Sequence, residues 1–97
     1  MEKKWLKNYL NEEGRLISFP SKRKLKIASM FYIASRIDAG VQFSEKEMND
    51  IINKMCCFND AALIRREMYD YRFINRTSDG KIYWMEEVQP LPEQYGL

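Results

Sequence analysis

Asn59-Asp60-Ala61-Ala62-Leu63-Ile64-Arg65-Arg66-Glu67-Met68-Tyr69-Asp70-Tyr71, followed without a break by Arg72-Phe73-Ile74-Asn75-Arg76, Thr77-Ser78-Asp79-Gly80 and Lys81-Ile82-Tyr83-Trp84-Met85, reads as a helix running into a β-hairpin. Ala61, Ile64, Met68 and Tyr71 recur at spacings of three and four, the period of one helix face. The opposite face carries Ala62, Arg65, Arg66 and Tyr69. The hairpin is marked by Asp79-Gly80 between two short runs rich in aromatic and β-branched residues. A presented helix leading into a hairpin is the second half of a winged helix-turn-helix.

Upstream, Phe43-Ser44-Glu45-Lys46-Glu47-Met48 carries the clearest local signal. Ser44 is placed to cap a helix and Glu47 to reach back to the Ser44 amide, with Phe43 and Met48 flanking as a hydrophobic staple. Met48, Ile51, Ile52 and Met55 then give the i, i+3, i+4, i+7 stripe of a core helix. Cys56-Cys57-Phe58 makes the turn, Asn59 is expected to cap the next helix, and Phe58 and Leu63 occupy its staple positions. Val41-Gln42-Phe43 reads as a short strand that completes a small sheet with the hairpin.

Further back, Ser21 is expected to cap a helix reaching about Ile37, with Ile27, Met30, Phe31, Ala34 and Ile37 inward and Asp38-Ala39-Gly40 closing it. Its first turn is Lys22-Arg23-Lys24, where the helix dipole favours acids. Either an anionic partner or a solvated patch near Glu12 and Glu13 accounts for that. Tyr32 and Leu25 lie off the main stripe, suited to packing under an N-terminal helix or to a dimer surface. Residues 2–10 place Trp5, Leu6, Tyr9 and Leu10 on one helical stripe, Gly14 turns the chain, and Arg15 to Phe19 is a short extended run stopped by Pro20. This leader is expected to pack on the domain, an arm exchanged between two copies being the alternative. Residues 86–97 hold Pro90, Pro92 and three glutamates but no base, and read as an irregular tail held by Leu91 or Tyr95.

The expected fold is therefore α+β and mainly α: a winged helix-turn-helix with a small antiparallel sheet and an extra N-terminal helix. At 97 residues it is one domain over 1–85, with the leader as 1–20, and a tail over 86–97. Hydrophobic residues at 45% and charged residues at 31% fit a folded soluble chain. No apolar run approaches the roughly 20 residues needed to cross a bilayer. No signal-peptide core follows the N-terminus, so a cytoplasmic location and no membrane partner are expected. With no histidine there is no zinc constellation, and the adjacent Cys56 and Cys57 read as reduced, one turned inward.

Net charge is only +2, but residues 21–26 hold four positive charges and no negative one. No nucleophile motif, Gly-rich phosphate loop or spaced carboxylate pair points to catalysis, so neither an enzyme nor a cofactor is expected. A helix-turn-helix inserts the exposed face of its last helix into the major groove of double-stranded DNA. Here that face offers Asn59, Ala62, Arg65, Arg66 and Tyr69, with Lys22, Arg23, Lys24 and Lys81 for flanking phosphates. Against this, Asn59 to Arg76 carries four positive and three negative charges, and the hairpin tip is acidic. Arg66–Asp70 and Asp60–Arg65 ion pairs would also occupy the arginines. The rival is a non-catalytic protein- or effector-binding module; a homodimer and a protein partner both stay open.

Gly14-Arg15-Leu16, Pro20-Ser21-Lys22-Arg23-Lys24, Phe43 to Asn49, Asp60, Ile64 to Met68, Asp70-Tyr71, Asp79-Gly80 and Tyr83-Trp84, taken in order, resemble a small bacterial family of unknown function. Its members occur alone or joined to helix-turn-helix domains in predicted transcriptional regulators. The resemblance spans roughly residues 12–85. It implies a winged-helix-like regulator without an established ligand, and in joined proteins another domain could read the DNA. The chain departs from the pattern at Arg72, where glycine is commoner and would suit a left-handed helix end.

Overall fold

The computed structural model describes residues 5–97, as three helices on a three-stranded antiparallel sheet. In chain order these are α1 (Arg23–Ala34), β1 (Gln42–Ser44), α2 (Glu45–Met55), α3 (Ala61–Asp70), β2 (Ile74–Arg76) and β3 (Ile82–Met85), followed by a 3₁₀ turn over Pro92–Tyr95. From α1 to β3 the order of helices and strands is the one read from the sequence.

The α2 start forms as its residues dictate. The Glu47 amide donates to Ser44 Oγ at 3.0 Å, and the Ser44 amide donates to Glu47 Oε1 at 2.8 Å. Each bond satisfies an amide the helix leaves without a partner. Met48 and Ile52 are fully buried, and Ile51 and Met55 pack against the core.

Two helix starts differ from expectation. Helix α1 begins after an extended Lys22 (φ −66°, ψ 130°), and Ser21 is not its cap. Helix α3 begins after Asp60 rather than Asn59; Asp60 sits at φ −140°, ψ 48° and makes no side-chain capping bond. With the start moved one residue, Phe58 and Leu63 no longer occupy staple positions. Helix α1 also ends at Ala34, short of Ile37. There the Ser35 hydroxyl donates to the Tyr32 carbonyl at 2.7 Å, and Arg36 and Ile37 make tighter bonds back to Ile33 and Ala34. Ile37 is buried all the same.

The sheet runs β1-β3-β2, pairing Phe43 with Tyr83 and Tyr83 with Arg76. Side chains alternate across a strand, so Ile74, Tyr83 and Met85 face the helices and are buried. Together with Ile27, Met30, Ile33, Ile64, Met68 and Phe73 they form one core. Phe31 meets Phe73 edge to face, with centroids 4.8 Å apart, a geometry that suits the ring quadrupoles.

At the C-terminus of α3 the Phe73 amide donates to the Met68 carbonyl at 2.8 Å and the Arg72 amide to the Tyr69 carbonyl at 3.1 Å. This is a Schellman ending, which needs a left-handed residue. Arg72 supplies it at φ +69°, the one non-glycine with positive φ among the described residues.

The leader departs furthest from expectation. The helix expected over 2–10 falls partly on residues outside those described. From Leu6 the chain turns, the Tyr9 amide donating to the Leu6 carbonyl at 2.7 Å, and Leu10 bridges Leu16. Leu16 then joins the α2–α3 turn: its amide donates to the Met55 carbonyl at 2.7 Å, and the Cys57 amide donates to the Leu16 carbonyl at 2.8 Å. The leader thus lies on its own chain. Leu6, Ala28 and Tyr32 form a second small core beneath it. The Tyr32 hydroxyl donates to the Gly14 carbonyl at 2.7 Å, where a Cβ on Gly14 would stand only 3.0 Å from that oxygen.

The tail is not wholly irregular. The Tyr95 hydroxyl donates to the Tyr71 carbonyl at 2.7 Å, and the two rings meet edge on at 5.4 Å. Leu91 is exposed. No described helix is long and apolar enough to cross a membrane.

Candidate nucleic-acid interface

Helix α3 buries Ala61, Ile64 and Met68 and leaves Ala62, Arg66 and Tyr69 exposed, a spacing of four and three that lays them along one outward line. Asn59 is exposed just before the helix. Arg65 belongs elsewhere. Its side chain is only 14% exposed; one terminal nitrogen donates to Glu45 Oε1 at 3.2 Å and the other to Asn49 Oδ1. Its guanidinium also lies over the Tyr83 ring, 5.3 Å from the centroid. So Arg65 is withdrawn from the outward face: it ties α3 to the start of α2 and to β3. The expected Asp60–Arg65 and Arg66–Asp70 pairs do not form among the described residues. Arg65 takes Glu45 instead, and Glu67 takes Lys26 of α1 at 3.1 Å.

A cleft of about 470 Å³ opens between α3 and the hairpin. Ala62, Arg65, Arg66, Tyr69 and Asp70 form the helix wall; Arg76 and Tyr83 form the hairpin wall. Arg76 answers Arg65 across it, lying over the Tyr69 ring at 4.8 Å. Each wall thus sends an arginine onto a tyrosine of the other. One terminal nitrogen of Arg76 donates to the carbonyls of Thr77 at 3.2 Å and Ser78 at 3.5 Å. Sequence reasoning missed Arg76 as a site residue; Tyr83 entered it only through the rival reading, as the neighbour of an apolar groove, and the cleft beside it is lined with arginines and Asp70 instead. The available signal was strand alternation: with Ile74 inward, Arg76 lies on the same face, toward α3.

Around the cleft, Lys81 is exposed at the hairpin. At the acidic tip Asp79 stays exposed and is held within its own turn: it accepts from the Thr77 hydroxyl and from the Lys81 amide at 3.0 Å. Those two bonds hold its carboxyl below the usual range. Gly80 takes φ +72° to close the turn.

The basic first turn of α1 stands beside α3, since Lys26 reaches Glu67. Lys22, Arg23 and Lys24 are exposed, but two have contacts. Lys24 lies over the Trp5 ring at 4.2 Å, and Arg23 donates to the Tyr95 carbonyl at 3.5 Å. None pairs with Glu12 or Glu13 among the described residues.

Behind the site, Arg15 supports the α2–α3 turn by donating to the carbonyls of Asn53 and Cys56. Lone carbonyls at a helix end are satisfied in this way by a cation. Cys56 is buried and its thiol is pushed up to about 11 by burial, against the pull of Arg15; Cys57 is exposed, and both are free.

Comparison with curated proteins and with solved structures finds no match. Comparison with protein families matches residues 15–85 to DUF2087, described as an uncharacterized protein conserved in bacteria. The match takes in α1, all three strands, the cleft and the Arg15 support, and on it this chain belongs to that bacterial family.

Proposed function

We propose that this chain is a winged helix-turn-helix protein that binds double-stranded DNA and regulates transcription without catalysing a reaction, in the cytoplasm. The observation that carries the reading is the open outward line of α3, Ala62, Arg66 and Tyr69, on a helix whose other face is buried. The helix order and the β1-β3-β2 sheet support it, because they present α3 with a hairpin at its side. In this reading Arg66 contacts a base edge, Ala62 permits close approach, and Tyr69 and Asn59 flank them. Lys22, Arg23 and Lys81 meet phosphates on either side, with Lys24 sharing its charge between Trp5 and the backbone.

Fluorescence anisotropy with random-sequence duplexes at two salt concentrations tests this. Binding at low salt that weakens as salt rises is expected, since phosphate contacts release counterions. No binding at either concentration overturns it.

One observation favours a second reading, a module that binds an effector or protein and leaves DNA to a partner. Arg65 is engaged by Glu45 and Asn49, so only one of the two α3 arginines is offered outward.

A further inference from the structure

We propose that the cleft between α3 and the hairpin is a binding site for one phosphodiester group, with Arg76 as its principal donor and Arg66 adding its charge from the opposite wall. This goes beyond the DNA reading, because the phosphodiester can belong either to a nucleic-acid strand or to a small nucleotide.

The two arginines that stack across the cleft differ in their remaining charge. Glu45 offsets Arg65. Arg76 has no carboxylate partner among the described residues; its fixed contacts are two carbonyls, through a single terminal nitrogen, and the Tyr69 ring. Its other N–H groups remain for a ligand, on a side chain already held in place, so little rotamer freedom is lost on binding. A guanidinium fork matches the oxygens of a phosphate.

The geometry supplies a further donor. The Tyr83 hydroxyl lies 3.8 Å from the point where a Cβ on Gly80 would sit, and Arg76 Nη1, the nitrogen bound to the two carbonyls, lies 3.6 Å from it, so the hydroxyl stands beside the Arg76 guanidinium at the hairpin end of the cleft. The Tyr83 hydroxyl makes no hydrogen bond among the described residues, although its ring is buried. Arg66 stands on the opposite wall, exposed. Asp70 on the same wall sets the charge: Arg66 and Arg76 against Asp70 leave one positive charge. That balance matches a monoanionic diester better than a dianionic monoester or a polyphosphate.

The test uses the full chain, ¹⁵N-labelled, titrated with the dinucleoside monophosphate dTpdT and, separately, with its uncharged methylphosphonate analogue. The diester is expected to shift the Arg76 Nε–H signal and those of Tyr69 and Tyr83; the analogue is not. Arg76→Gln should weaken dTpdT binding about tenfold, the loss expected for a charged hydrogen-bond donor. Arg66→Gln, on an exposed side chain, gives the same readout if Arg76→Gln does not fold.

Random duplex DNA forms the second arm. If it binds and Arg76→Gln makes its salt slope about one unit shallower, the diester comes from a nucleic-acid strand. If the duplex does not bind while dTpdT does, the ligand is a small nucleotide, and the DNA reading alone fails. Equal shifts with the uncharged analogue, or no shift at the cleft with dTpdT, overturn the phosphodiester site. Duplex binding that Arg76→Gln leaves unchanged overturns it too, with the DNA reading intact.

Discussion

The Arg76 guanidinium lies over the Tyr69 ring, 4.8 Å from its centroid, and so joins β2 to the outward face of α3. At a partly exposed site such a stack contributes about 0.5–1 kcal/mol. A double-mutant cycle with Tyr69→Ala and Arg76→Ala, read by urea denaturation, should return a coupling of that size. A coupling near zero would mean that the carbonyls of Thr77 and Ser78 hold Arg76 unaided.

Arg65 and Arg66 are neighbours in sequence with different expected phenotypes. Arg65→Ala removes a mostly buried guanidinium bonded to Glu45 and Asn49 and should cost about 1–3 kcal/mol of folding stability. Arg66→Ala should change stability by no more than about 0.5 kcal/mol. It should weaken duplex binding by about 1–3 kcal/mol and relax base preference. Thermal melts beside anisotropy titrations separate the two, and equal melting temperatures for both variants would contradict the assignment.

Arg72 occupies the left-handed end of α3 at φ +69°. That conformation costs an L-residue about 1–2 kcal/mol, partly regained as lower entropy of the unfolded chain relative to glycine. Arg72→Gly is therefore expected to raise stability by roughly 0.5–1 kcal/mol, measured as a higher denaturation midpoint at unchanged m-value.

Ser44→Ala removes the reciprocal cap of α2 and should cost about 1 kcal/mol. Hydrogen exchange in the first turn of α2 should accelerate with it. Unchanged protection of the Glu47 amide would show that the cap contributes nothing.

Asp79 gives a pH signature. Its carboxyl is held below the ordinary value by bonds from the Thr77 hydroxyl and the Lys81 amide. The native state therefore binds that proton less readily than the unfolded chain. Whatever stability this confers is present above the unfolded value and is lost as pH falls through the native one. Thr77→Val should return the Asp79 titration toward the ordinary carboxylate range, which carboxyl-detected NMR can follow.

What the sequence revealed was local chemistry. The Ser44–Glu47 cap, the α2 stripe and the inward face of α3 follow from spacings of three and four, and all three are found as read. One-residue choices between neighbouring caps were less legible, because Asn59 and Asp60 are both good capping types and the backbone at Asp60 decided. The fate of Arg65 was out of reach, since Glu45 and Asn49 lie on another helix and only tertiary packing brings them together. The leader was misread for a similar reason. Trp5, Leu6, Tyr9 and Leu10 do face the body of the protein, but beyond Trp5 they do so along a turn that Leu16 anchors, not along a helix.

Leu16 and Arg15 bind the α2–α3 turn through backbone and guanidinium bonds, Arg15 reaching a carbonyl 41 positions downstream. The elbow between the two helices is thus fixed by residues outside the helix pair, and the pair is not a portable cassette. Grafted onto another scaffold without residues 15 and 16, it would keep both helices and lose the angle at which the second is aimed.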